Sequence, residues 1–158
     1  MRALAILFAL TIGTATQAQD CLVDNMPLPG QAEQFNAQMR ALMLAHTPIE
    51  YRQSCGLTDE SDLRYYNAIR AAAGCEASEN YDTFFGRYLD ENTEFLFAVT
   101  RTELMNDEAF ETYCKIIERI DLTDAVTEDG TPNATALQVQ APLFHALQAH
   151  VKKWRISQ

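Results

Sequence analysis

Four cysteines, Cys21, Cys55, Cys75 and Cys114, constrain this 158-residue chain more than any other feature. Their gaps of 34, 20 and 39 residues leave no close C-x-x-C pair. Zinc sites, redox dithiols and covalent c-type haem all ask for such a pair. An even number of cysteines, all beyond residue 20, instead reads as two disulfides in a protein that leaves the reducing cytoplasm.

The N-terminus agrees with that compartment. Met1 and Arg2 give a short positive end, Ala3 to Ile12 is an apolar run of ten, and Gly13 to Ala18 is small and polar. Thr16 and Ala18 stand three and one residues before a plausible cut ahead of Gln19. This three-part layout predicts a cleaved signal peptide over 1–18, followed by one helical domain over 19–158. The apolar run is about half the ~20 residues needed to span a bilayer. No later segment is apolar enough, so no membrane insertion is expected once the signal is removed. The predicted location is periplasmic or secreted.

Charge narrows the partners. Losing Arg2 with the signal takes the formal net charge from −10 to −11. Such a surface repels nucleic acid and anionic lipid.

Periodicity then gives the fold class. Tyr81, Phe84, Phe85, Tyr88, Phe95, Leu96 and Val99 recur at helical spacing, interrupted only by Asn92. Six of the fifteen Phe, Tyr and Trp residues lie between Tyr81 and Phe97, which makes this the expected central helix, capped by Ser78 or Asn80 and running to about Arg101. Gln31 to His46 carries a weaker stripe. Thr47-Pro48-Ile49-Glu50 has the form of a capping box with proline at the first helical position, so a new short helix is expected there, stopped by Gly56. Thr58 is the expected cap of a helix over 59–73 with Leu63, Tyr66, Ile69 and Ala73 facing inward, ended by Gly74. Asn106 caps a helix over 107–120. Leu137, Phe144, Leu147, Val151 and Trp154 mark the last helix, in which Pro142 is either a kink or the true start. No stretch alternates long enough to be a strand. The expected architecture is an all-α, single-domain bundle of five or six helices stapled by two disulfides.

Rod geometry selects between the possible pairings. If the 59–73, 79–101 and 107–120 helices run antiparallel in turn, Cys114 lies level with Cys55, while Cys75 lies roughly 20 Å away at the other end. A disulfide needs alpha carbons within about 7 Å. The predicted pairs are therefore Cys55–Cys114 and Cys21–Cys75. A break of the central helix near Asn92 would revive the sequential pairs Cys21–Cys55 and Cys75–Cys114.

Chemistry is sparse. His46 reads as a helix-end or stripe residue, and His145 and His150 are five apart, whereas helical metal pairs want three or four. Asp121, Asp124, Glu128 and Asp129 lack the alternating ligands of a calcium loop. Asp90, Glu91 and Glu94 would do acid–base work only if they faced a pocket beside Tyr88 and Phe95. No catalytic or metal-ligating residue is assigned, and no cofactor is expected. The reading is an exported, non-catalytic protein-binding or accessory role, with another protein as partner and an apolar contact patch around Tyr51, Tyr65 or Trp154. The alternative is a small enzyme or metal-binding protein using carboxylates with His145 or His150. Leu57-Thr58-x-x-Ser61 and Leu122-Thr123-x-x-Val126 resemble the repeated L-T-x-x-Q motif of the Spy and CpxP periplasmic chaperones, which are all-helical. Both lack the glutamine, and together they span ten residues.

Overall fold

A computed structural model of the chain describes residues 21–25, 30, 32–98 and 106–156, with the side chains of 92–98 and 154–156 excepted. The expected signal peptide over 1–18, and the end of the central helix at residues 99–101, lie outside these residues. The described chain is all-helical. Its helices are α1 (Ala32–Ser54), α2 (Glu60–Ala72), α3 (Glu79–Ala98), α4 (Asp107–Ile117), α5 (Ala134–Val139) and α6 (Ala141–Ile156), with one 3-10 turn over Thr123–Ala125. No strand occurs among the described residues, only an isolated bridge between Val126 and Pro132.

Local signals place most ends. The Ser78 hydroxyl accepts from the Tyr81 amide (3.1 Å) and the Asn106 side chain accepts from the Ala109 amide (2.9 Å), satisfying amides that the first turn leaves without partners. Gly56 (φ +70°) and Gly74 (φ +69°) adopt the left-handed conformation that ends α1 and α2. The last expected helix divides at Gln140, and Pro142 sits in the first turn of α6, where its missing N–H costs nothing. Helix α3 runs unbroken through Asn92. Both expected disulfides are present, Cys21–Cys75 with alpha carbons 4.7 Å apart and Cys55–Cys114 at 5.6 Å.

Two expectations fail for tertiary reasons. First, Pro48 does not start a helix but lies inside α1, which continues to Ser54. The capping box needed the Glu50 carboxylate to turn back to Thr47; instead Glu50 is buried and bonded to the Tyr88 hydroxyl of α3. His46 is therefore a mid-helix residue, not a helix end. Second, α2 is rotated relative to its expected stripe. Leu63 is 62% exposed, while Ser61, Asp62, Tyr65, Ala68 and Ile69 are buried. The cause is Arg52 of α1, whose Nε donates to Asp62 Oδ1 (2.9 Å), Nη2 to Asp59 Oδ2 (2.7 Å) and Nη1 to the Ile120 carbonyl (2.8 Å). A buried guanidinium must be matched on its own side, so the carboxylate faces in and the leucine faces out. Asp59 Oδ1 accepts from the Ser61 amide (2.7 Å) and Asp62 Oδ2 accepts from the Asp59 amide (2.9 Å), a reciprocal capping box that makes Asp59, not Thr58, the N-cap of α2.

Packing forms two clusters. The larger joins Ile49, Tyr65, Ile69, Leu89, Tyr113, Ile117, Ile120, Leu122 and Leu147, with Cys55 and Cys114 at its margin. The smaller holds Cys21, Cys75, Tyr81 and Phe85 under the N-terminal segment. Helix α1 lies against both α2 and α3 and is tied to α4 by Cys55–Cys114. It is α1, more than the aromatic α3, that joins the parts. That arrangement sets α1's inner face against the aromatic rings of α3.

Candidate functional site

On that inner face, His46 and Glu50 are one helical turn apart and both point into the core. His46 is fully buried, stacked on Phe85 with ring centroids 4.3 Å apart and planes 10° from parallel. Its Nδ1 lies 2.8 Å from the Leu42 carbonyl, so Nδ1 carries the proton, and Nε2 accepts from the Tyr81 hydroxyl at 3.2 Å. Tyr66 meets the ring edge-on at 5.5 Å. Burial lowers the His46 pKa to about 4, outweighing the raising effect of the Leu42 carbonyl.

Glu50 is 7% exposed. Burial raises its carboxyl above the ordinary range, more than the hydrogen bond with Tyr88 lowers it. Its Oε1 is the one buried side-chain oxygen or nitrogen without a hydrogen-bond partner among the described residues. An unpaired buried acceptor costs about 1–3 kcal/mol, so the group is a functional candidate.

Tyr88 connects this buried pair to the surface. It lines a groove of about 390 Å³ formed by α3 and the N-terminal segment, with Val23, Asn80, Thr83, Phe84, Arg87 and Glu91. The segment is held down by Cys21–Cys75 and by Asp24 Oδ1, which accepts from the Ser78 hydroxyl (2.9 Å) and from the Asn80 side-chain Nδ2 (2.8 Å). Phe84 is 40% exposed in this groove. Arg87 and Glu91 form an exposed i, i+4 ion pair at 3.0 Å. The space falls at the small end of the 300–1,000 Å³ range of ligand pockets, so one or two side chains or a small molecule would fill it.

The residues expected to bind a partner land elsewhere. Tyr65 is 2% exposed, so it is a core residue and offers no surface, which corrects that expectation. Tyr51 is half-buried against Phe144, with ring centroids 6.3 Å apart. The Trp154 side chain lies outside the described residues. His145 is exposed, whereas the His150 Nε2 lies 2.8 Å from the Ala109 carbonyl. Among the described residues, no group of three or more His, Cys, Asp or Glu side chains is placed to hold a metal ion. Asp90 and Glu91 are exposed, and Glu91 does stand beside Tyr88 in the groove.

The groove was not legible beforehand because Val23 and Phe84 are 61 residues apart and are brought together by the Cys21–Cys75 bridge and the Asp24 hydrogen bonds. Glu50 was hidden by its match to a capping box. The only sequence signal for it was a carboxylate within an otherwise apolar helical stripe. No protein-family model matches the chain, and no curated protein or solved structure proves similar to it.

The His46 geometry has a measurable consequence. Its pKa is depressed in the folded state, so the stability it contributes is complete above pH 6.5 and is lost as pH falls from 6.5 towards about 4. A shift of this size corresponds to about 3 kcal/mol. Glu50 acts with the opposite sign: its raised pKa contributes stability below its ordinary value of 4.5, which is lost as pH rises through the folded value. Urea midpoints measured from pH 4 to 7.5 should fall on the acid side in wild type and flatten in His46→Leu. Equal slopes in the two proteins would refute the assignment.

Proposed function

We propose that this chain is an exported, non-catalytic binding protein that takes a segment of another protein into the groove along α3. The observation that carries the reading is Phe84, 40% exposed within a concave surface beside Tyr88 and Val23. The other large exposed apolar side chains among the described residues, Leu44, Leu63 and Val139, lie on three different helices. Exposed aromatic rings in concave sites are the usual anchors of protein interfaces. Two disulfides and a signal-like N-terminus support action outside the cytoplasm. No helix among the described residues is long and apolar enough to cross a membrane.

Placing a photo-cross-linking residue at position 84, in cells that export the protein, tests the reading. A discrete adduct is expected at 84, and none from the same residue at position 139, where Val139 is 75% exposed. Phe84→Glu should reduce partner recovery at least about tenfold, as the loss of an interface anchor does, with an unchanged helical spectrum. Equal cross-linking at both positions, or full recovery with Phe84→Glu, would rule the groove out.

A further inference from the structure

The groove and the unpaired carboxylate oxygen meet at a single residue. Tyr88 lines the groove, and its hydroxyl is hydrogen-bonded to the buried Glu50, which does not line it. We infer that the groove takes a cationic side chain, the guanidinium or ammonium of an arginine or lysine on the partner segment, with Glu50 as its charge partner acting through Tyr88. The inference rests on the binding role proposed above and names the chemistry of that same site.

Three observations converge on a cation. An ionised Glu50 has one oxygen with no donor, and a positive charge placed beside Tyr88 would stabilise that ionised form through the intervening low-dielectric protein. The exposed Phe84 ring and the half-buried Tyr88 ring offer the electron-rich faces on which guanidinium and ammonium groups settle. The chain's net charge of −10 concentrates cations at its surface and repels an anionic segment. Arg87 does not oppose this, because Glu91 matches its charge at 3.0 Å. A neutral occupant would leave the Glu50 oxygen as it is. An anionic one would face Glu50, with the matched Arg87–Glu91 pair favouring neither sign.

The coupling runs both ways. A cation in the groove favours the ionised form of Glu50, so binding must lower the pH at which Glu50 titrates. The titratable groups that interact with Glu50 are Tyr88 of α3 and Tyr51 on its own helix, with His46 one turn away. None of the three titrates between pH 5 and 9, since burial raises both tyrosines and holds His46 at about 4.

The probes are N-acetyl-arginine amide and its uncharged isostere N-acetyl-citrulline amide, titrated into the full-length mature protein and followed by NMR. The backbone amides of Asn80 and of residues 83–88 report occupancy, and the Glu50 carboxyl carbon reports ionisation. The arginine probe is expected to bind about tenfold more tightly than citrulline, as a desolvated charge–aromatic contact implies. It should also move the Glu50 titration to lower pH. Glu50→Gln should narrow the difference between the two probes, leaving the part that the aromatic rings supply. If citrulline binds as tightly in wild type, the cation inference falls while the groove remains a binding site. If neither probe perturbs these amides, the groove reading falls with it. Should Glu50→Gln not fold, the wild-type carboxyl titration decides alone: an unmoved Glu50 under saturating arginine probe overturns the inference.

Discussion

Replacing Cys55 and Cys114 by serine is expected to lower the unfolding free energy by about 4 kcal/mol. The bridge joins residues 59 apart in sequence, and a loop of that length removes roughly this much entropy from the unfolded chain. It also joins the C-terminal end of α1 to α4, which meet besides in the core cluster of Ile49, Tyr113 and Ile117 and in the contact between the Ser54 and Tyr113 hydroxyls at 3.3 Å, with Arg52 bonded to the Ile120 carbonyl just beyond α4. The Cys21–Cys75 bridge, at a separation of 54, has a similar entropic value but a different consequence. Without it, the segment carrying Val23 and Asp24 keeps, among the described residues, Asp24's bonds and the packing of Val23, so one wall of the groove loosens while α1, α2 and α4 stay joined. Urea unfolding of the two serine pairs should therefore show comparable losses, and hydrogen exchange should separate them. Amides near Ser78 and Tyr81 should exchange faster only when Cys21–Cys75 is absent. A loss below about 1 kcal/mol for either pair would show that helix packing alone holds that part, since small domains have only about 5–15 kcal/mol in total.

Arg52→Met should be as damaging for a different reason. It leaves Asp62, whose side chain is 4% exposed, without its counter-charge and removes the donor to the Ile120 carbonyl. Removing one member of a buried ion pair costs about 3–5 kcal/mol. The exposed Asp59 contact contributes little to that figure, because its side chain is 58% exposed and water screens it. Combining Arg52→Met with Asp62→Asn should recover part of the loss. An asparagine still accepts the Asp59 amide that caps α2 but carries no charge to strand. Thermal unfolding of the three variants checks this, and a double variant no more stable than Arg52→Met would mean that charge is not the cause.

The same ion pair shows why the inner face of α2 escaped a reading by hydrophobic periodicity. Leu63 and Asp62 are neighbours, and any apolar stripe selects the leucine. Rotating the helix to bury Asp62 instead exposes the leucine, at a cost of about 2 kcal/mol of apolar burial. It spares an unmatched guanidinium, which costs more. Pro48 and Glu50 follow the same logic. Their sequence has the form of a helix start, but a start there would send Glu50 back to the main chain and away from Tyr88. Burial of the 46–54 segment against α2 and α3 outweighs a local preference worth about 1 kcal/mol.

Where competing partners were absent, local chemistry decided. Ser78 and Asn106 cap their helices because their side chains reach amides that nothing else satisfies. Gly56 and Gly74 end theirs because each takes a positive φ that L side chains rarely adopt. Disulfide pairing was also legible, although it is a long-range property. The pairs expected from helix lengths are the ones present, and α3 passes through Asn92 without a break, although α1 rather than a row of successive neighbours makes the contacts with α2 and α3. The sequence by itself thus determined the helical class, most helix ends and which cysteines meet. Only the tertiary structure decided that α1 runs through Pro48, which side of α2 is buried, and that Val23, Phe84 and Tyr88 form a groove backed by Glu50. Those outcomes depend on charges and rings brought together from distant parts of the chain, and their energies exceed the local preferences that a sequence displays.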